Sequence, residues 1–125
     1  MPSLSEEVQQ AWNDRSDPVV LTTVDKNGVP NAIYVTCVNK FSDEVIVVAD
    51  NYLHKTRDNI LAGSMVSLLF ITKSNKSYQI KGNITYHNSG PVFDDMKKWN
   101  PSKHPGHAAV AIKVNEVYSG AEKIM

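Results

Sequence analysis

The links between the apolar, β-branched runs of this chain are short, and that property confines it to a few folds. Val19-Val20-Leu21-Thr22-Thr23-Val24 runs straight into Asp25-Lys26-Asn27-Gly28, a hairpin turn by composition. A second strand over about residues 29–39 alternates, with Ile33, Val35 and Cys37 on one side and Ala32, Tyr34 and Thr36 on the other. Phe41-Ser42-Asp43-Glu44 then turns the chain into Val45-Ile46-Val47-Val48. Residues 65–72 are almost continuously apolar, as expected of a central strand, and Lys73-Ser74-Asn75-Lys76 is a polar hairpin loop. It leads to a strand over 77–87, in which Gly82 predicts a bulge or a close backbone approach. Residues 108–118 form the last strand. Parallel neighbours need crossovers of a dozen or more residues, which most of these links cannot provide. Six hairpin-linked strands therefore argue for an antiparallel sheet that closes into a barrel, since closure removes exposed edges. A β-sandwich is the competing architecture, and a parallel Rossmann sheet does not fit.

Short helices sit at the corners. Ser3 or Ser5 caps a first helix ending near Asn13, with Leu4, Val8, Ala11 and Trp12 facing inward, and Ser16-Asp17-Pro18 breaks it. Ser89-Gly90-Pro91 opens a late helix to about Trp99. At 125 residues the chain fits one domain, 1–125, with the N-terminal helix in 1–17 and the barrel in 18–120.

Between the third and fourth strands lies Asp50-Asn51-Tyr52-Leu53-His54-Lys55-Thr56-Arg57-Asp58-Asn59-Ile60-Leu61-Ala62-Gly63. Leu53, Ile60 and Leu61 fall on one face at helical spacing, and Gly63 is a helix stop. The first turn of this helix carries His54, Lys55, Thr56 and Arg57, although cations oppose the positive end of a helix dipole. A bound anion removes the conflict: free backbone N–H groups, a Thr hydroxyl and Lys/Arg charges together make a phosphate cradle. The plainer alternative is a pair of solvated cations with Thr56 as a cap.

Strand, Asn-Gly turn, Asn31-Ala32-Ile33-Tyr34-Val35-Thr36, strand, His54-Lys55-Thr56, then Ser77-Tyr78-Gln79-Ile80-Lys81-Gly82 and a helix after Gly90-Pro91: in this order the chain resembles the pyridoxamine 5'-phosphate oxidase-like FMN-binding split-barrel family, especially its small bacterial FMN-binding members. The resemblance covers about residues 19–118, and His54-Lys55-Thr56 after an apolar strand is its sharpest piece. It implies a six-stranded antiparallel split barrel that forms a homodimer with two FMN sites at the subunit interface. Lys55 and Thr56, beside His54, match the positions that hold the FMN phosphate. Ala32, Ile33 and Tyr34 match the stretch along the isoalloxazine and ribityl, and Val48, Ala49, Asp50 and Asn51 match the strand end beside the ring. Gln79 matches a flavin-contacting Gln, and Trp99 ends a helix that in this family lies near the partner's flavin. The Arg-rich first-strand motif of the family's stronger enzymes is not found, a departure that bears on pyridoxamine phosphate oxidation itself.

FMN needs a cationic pocket rich in N–H groups, an alternating strand for its polar chain and an apolar wall. The helix-start cluster, residues 32–36 and Val47-Val48 supply these in sequence order. Flavin chemistry resides in the ring, so no catalytic triad is required, and no catalytic residue is assigned. The expected function is an FMN-dependent oxidoreductase or an FMN-binding electron carrier. The alternative is a split-barrel binding module without flavin redox activity, empty or holding haem or a deazaflavin. A single-strand-binding barrel fits less well, because thirteen Lys and Arg balance thirteen Asp and Glu and the aromatics are scattered. No apolar run approaches a membrane span and the first residues lack signal-peptide character, so a cytoplasmic protein with no membrane partner is expected. His104-Pro105-Gly106-His107 lacks a carboxylate or Cys at ligand spacing and reads as a solvated loop, so no metal is expected. Cys37, the single cysteine, reads as a small strand residue, Trp12 and Trp99 as anchors of the two helices, and Lys73, Lys76 and Lys81 as a solvated face.

Overall fold

A computed structural model describes residues 3–125, so the first two residues of the expected N-terminal segment lie outside the described residues. The chain runs α1 (Glu6–Asn13), β1 (Arg15–Val24), β2 (Pro30–Val35), β3 (Val38–Ser42), β4 (Val45–Asp50), α2 (Lys55–Leu61), β5 (Val66–Thr72), β6 (Ser77–His87), α3 (Pro91–Trp99), β7 (Ala108–Ser119) and β8 (Glu122–Lys123). Every pairing is antiparallel, and the strands lie in the order β2-β1-β5-β6-β7-β4-β3, with β8 added to β7.

The sheet is the expected antiparallel split barrel, built from eight strands rather than six. The strand expected over 29–39 is two strands, because Thr36 and Cys37 break the alternation and redirect the chain. The residues after the last expected strand form β8. The two ends of the sheet, β2 and β3, are therefore consecutive in the chain and joined by Thr36 and Cys37 alone. The barrel closes around this seam without pairing across it. At the other end of the first hairpin, β1 begins at Arg15, so Ser16-Asp17-Pro18 lies within the strand and not in a break; the register against β5 shifts between Ser16 and Val20.

Alternation sorts the side chains. Val19, Leu21, Val35, Ile46, Val48, Leu68, Phe70, Ile80, Val110 and Ile112 fill the interior. The Ser5 hydroxyl caps α1 by accepting from the Val8 N–H, and Leu4, Val8, Ala11 and Trp12 plug one end of the barrel. Trp12 meets Phe70 edge-on with ring centroids 5.2 Å apart, a geometry worth about 0.5–1.5 kcal/mol beyond area burial. Val47 and Ala49 on β4 and Ala109 and Ala111 on β7 face the other way and are covered by α3 through Met96, Phe93 and Trp99. Trp99 thus anchors its helix, as Trp12 does.

Gly82 answers the sequence argument directly. The β6–β7 register shifts between Lys81 and Gly82, and a Cβ at residue 82 would lie 2.1 Å from the Lys113 carbonyl oxygen. The face of α2 departs from expectation: Ile60 is buried, Leu53 precedes the helix half-buried, and Leu61 is 62% exposed. Strand β5 is central but one-sided. Leu69 and Ile71 remain 43% and 41% exposed on the outer face.

Candidate functional site

Two clefts share β2 as a wall. The first, about 340 Å³, is lined by Ile33, Tyr34, Val35, Thr36, Cys37, Ala49, Asn51, Tyr52, Leu53 and His104. The second, about 260 Å³, is lined by Asp25, Val29, Pro30, Asn31, Lys55, Asp58 and Asn59. Asn31 and Ile33 are next-nearest neighbours on β2, and Leu53 and Lys55 are equally close on the facing segment, so the clefts lie end to end. From Asn31 to Thr36 a strand advances about 16 Å.

At the Lys55 end the side chain is exposed and forms no ion pair among the described residues. Thr56 is fully buried, and its Oγ1 accepts from Asn31 Nδ2 at 3.1 Å. Two features expected of the cradle are committed elsewhere. The Thr56 N–H donates to the Leu53 carbonyl at 3.0 Å, so it is not a free backbone donor. Arg57 turns inward, its Nε and Nη2 donating to Asp50 at 2.6 and 2.9 Å. His54 holds a backbone φ of 50° with no side-chain capping bond. Asp25 also lines this cleft, but its Oδ1 accepts from Asn27 N–H and Val29 N–H at 2.8 and 2.9 Å, so the carboxylate is held by its own turn.

Asp50 is a buried carboxylate with hydrogen bonds to both of its oxygens. Its side chain has no exposure, and its Oδ2 also accepts from the Tyr86 hydroxyl at 2.5 Å. Burial pushes the carboxyl up, but the Arg57 and Tyr86 hydrogen bonds and the Arg57 charge outweigh it and hold the group below its ordinary value. Burial and the carboxylate raise Tyr86 to about 12, and Arg57 is raised by the same pairing.

At the other end, Asn51 and Asn100 form a reciprocal amide pair at 3.0 and 2.9 Å, and Asn51 Oδ1 also accepts from the Gly106 N–H at 2.9 Å. The His107 N–H donates to the Asp50 carbonyl at 2.9 Å. Gly106 has φ +53°, a conformation strained for other residues, and a Cβ there would crowd Lys97 Nζ and the Asn100 amide. The segment 100–107 is therefore pinned to the end of β4, and the solvated loop expected there is a tethered wall. It carries His104 against Tyr52, edge-on with ring centroids 5.6 Å apart.

Of the expected cofactor residues, Ile33, Tyr34, Ala49 and Asn51 meet in the first cleft, Lys55 lines the second, and Thr56 joins them through Asn31. Val48 points into the barrel interior, and Asp50 faces Arg57 and Tyr86. Ala32 and Tyr34 project from the outer face. There the register aligns Tyr34, Val20, Leu69, Gln79 and Tyr118 in one row across five strands, which puts Gln79 three strands from Tyr34 with its Oε1 accepting from the Ser67 hydroxyl. Trp99 borders a separate cleft beyond Thr36 and Cys37. Asn31, Tyr52 and His104 are wall residues that sequence reasoning missed. Asn31 was legible as a polar residue on the inward face of β2, whereas His104 depends on the long-range pin.

Comparison with known proteins agrees with this architecture. HupZ of Group A Streptococcus superposes with a TM-score of 0.80 at 21% identity, covering 93% of each chain. An FMN-binding protein from Syntrophomonas wolfei subsp. wolfei gives 0.75 at 22% identity, covering 91% of this chain and 84% of that one. In sequence, an uncharacterized protein of Methanocaldococcus jannaschii is 29% identical over 106 residues, 81% of this chain and 71% of that protein. The model of the pyridoxamine 5'-phosphate oxidase family matches residues 4–120. With sheet order, seam and sequence match in agreement over nearly the whole chain, the protein belongs to the pyridoxamine 5'-phosphate oxidase family.

Proposed function

We propose that the protein is an FMN-binding flavoprotein of this family, a homodimer working in the cytoplasm as an oxidoreductase or an electron carrier. The observation that carries the reading is the elongated groove along β2, with Lys55 and Asn31, the latter braced by Thr56, at one end and an apolar wall of Ile33, Val35, Ala49 and Leu53 at the other. FMN has the matching sequence of parts: a phosphate, a polar chain and a flat apolar ring. The donor set fits it. Lys55 supplies a charge to the phosphate, Asn31 lines the same cleft with its amide held by the buried Thr56 hydroxyl, and Thr36 and Asn51 offer polar atoms beside the wall. When bound, FMN supplies electron or hydride transfer at its ring; the chain binds, orients and shields it. FMN is favoured over FAD because one terminal phosphate suits a single cation, and the chain has no Gly-rich dinucleotide fingerprint. The FMN-binding relative supports the same reading.

Dimerisation follows from the outer face. On β7 the face turned away from the interior is covered by α3 of the same chain, whereas on β5 and its neighbours Tyr34, Leu69 and Ile71 stay exposed, an apolar face left for a partner copy. A second copy across that row would cover Ala32, Tyr34 and Gln79. The test is the visible spectrum of the purified protein with chromatography of the cofactor released on denaturation. Flavin bands and released FMN are expected. Released FAD, a haem Soret band, or no chromophore together with no binding of added FMN would overturn the reading.

A further inference from the structure

Asp50 and Asn51 are consecutive at the end of β4, and between them they hold segments on both sides of the groove. Asp50 receives Arg57 from α2 and Tyr86 from β6. Asn51 receives Asn100 and Gly106 from the wall segment. Lys55 lies two residues before Arg57, and His104 lies two residues before Gly106. We propose that this pair of residues is a positioning hub: Asp50 fixes the phosphate end of the groove through Arg57, and Asn51 fixes the ring end through Asn100 and Gly106.

The argument begins with what Asp50 cannot do. Its side chain has no exposed surface, so it does not touch a ligand in either cleft. It nevertheless satisfies two donors of one guanidinium, and that bidentate grip sets direction as well as distance. Helix α2 has seven residues, too short to hold itself in place, and propensity alone does not stabilise such a helix. Ile60 supplies apolar anchorage near its far end; at the end that carries Lys55 the Arg57–Asp50 pair is the charged tether. At the other side, 100–107 contains Pro101 and Pro105, which cannot donate to a ladder, so side-chain pins replace sheet hydrogen bonds. The Asn51–Asn100 amides satisfy each other while buried, and loss of one partner leaves the other unmatched.

This inference rests on the FMN reading, and it separates two affinities that a general scaffold role would move together. In Asp50→Asn the guanidinium loses its charged partner and the lysine two residues away loses its fixed direction. FMN affinity should fall on the order of tenfold, about one charge-assisted contact, with riboflavin affinity within about twofold of wild type. In Asn100→Asp, which touches neither cleft, the Asn51 Nδ2 donation survives and the other bond of the amide pair becomes two facing oxygens. FMN and riboflavin affinities should fall together, each by about tenfold. Tyr86→Phe keeps both charges and is the milder probe should Asp50→Asn fold poorly; it should lower FMN affinity alone, by about threefold.

Affinities come from flavin fluorescence quenching, and amide hydrogen exchange on the cofactor-free protein supplies a readout independent of binding. Asp50→Asn should speed exchange in residues 55–61 and leave 100–107 unchanged; Asn100→Asp should do the reverse. Unchanged or tighter FMN binding in Asp50→Asn, a parallel loss for both ligands in that variant, or exchange rising in both segments with either variant would overturn the hub. If wild type bound neither flavin the FMN reading would fail at that step, before any variant was compared.

Discussion

Lys55→Ala is the sharpest test of the groove. The side chain is exposed and forms no ion pair among the described residues, so its loss removes no intramolecular contact of consequence. Stability should change by no more than about 0.5 kcal/mol, as for other isolated surface positions. Binding is different. Arg57 is withdrawn to Asp50, which leaves Lys55 as the cation lining the second cleft, together with the carboxylates of Asp25 and Asp58. A charge-assisted hydrogen bond is worth about 1.5–3 kcal/mol, and removing this cation also leaves the phosphate facing two carboxylates without compensation. The expected loss lies near the upper limit, about a hundredfold in FMN affinity. Riboflavin, lacking the phosphate, should bind wild type and Lys55→Ala equally. Titration of cofactor-free protein with each flavin, followed by fluorescence quenching, gives both values in one buffer. Thr56→Val should also weaken FMN, but with a stability loss, because the buried hydroxyl that accepts from Asn31 disappears. Equal FMN affinity in wild type and Lys55→Ala would refute the assignment of this end of the groove to a phosphate.

Three further outcomes are expected. Gly82→Ala forces a methyl against the Lys113 carbonyl, backbone against backbone, so thermal unfolding should show a loss at or above the usual 1–3 kcal/mol of overpacking, and an unchanged Tm would contradict the close approach. The Asp50 carboxyl is depressed in the fold, so its contribution is complete above its ordinary value near pH 4 and is lost as pH falls below that. The stability difference between wild type and Asp50→Asn, read from urea midpoints, should therefore be flat from about pH 8 to 5 and shrink below about pH 4. Sedimentation should give a dimer for wild type and a monomer for Leu69→Glu, which places a charge in the middle of the exposed row; a wild-type monomer at micromolar concentration would remove the two-copy site.

What was legible in the sequence follows from how local its causes are. The Asn-Gly turn, the alternation of Ile33 and Val35, the Ser5 cap and the glycine at 82 act within a few residues or announce a constraint by themselves, and each appears where expected. Thr36 and Cys37 continue the alternation on paper, and only closure of the barrel bends the chain between them. The face of α2 differs at Leu61: Ile60 takes the inward position, and Leu61, about 100° further round the helix, stays exposed. The cationic cluster was read as one unit, yet Arg57 and Lys55 lie on different sides of the helix, and a buried Asp50 took the arginine. That pairing is local in sequence but depends on the burial of Asp50 at the end of β4, whereas the docking of 100–107 on Asn51 joins residues far apart in sequence, and composition carries no trace of it.

The seam between β2 and β3 bears on how such a protein can change over time. Along the seam β2 has a neighbour on one side, β1, so the main-chain donors and acceptors of its other edge are not taken by another strand. Polar groups of the main chain come with every residue except proline's N–H, whatever the side chain. A groove that draws part of its hydrogen-bonding capacity from such an edge keeps it through most substitutions in β2 that preserve the strand. Drift in side chains then alters what the walls select and leaves the receptacle itself in place. Relatives at about one-fifth identity retain the fold itself, with TM-scores of 0.80 and 0.75.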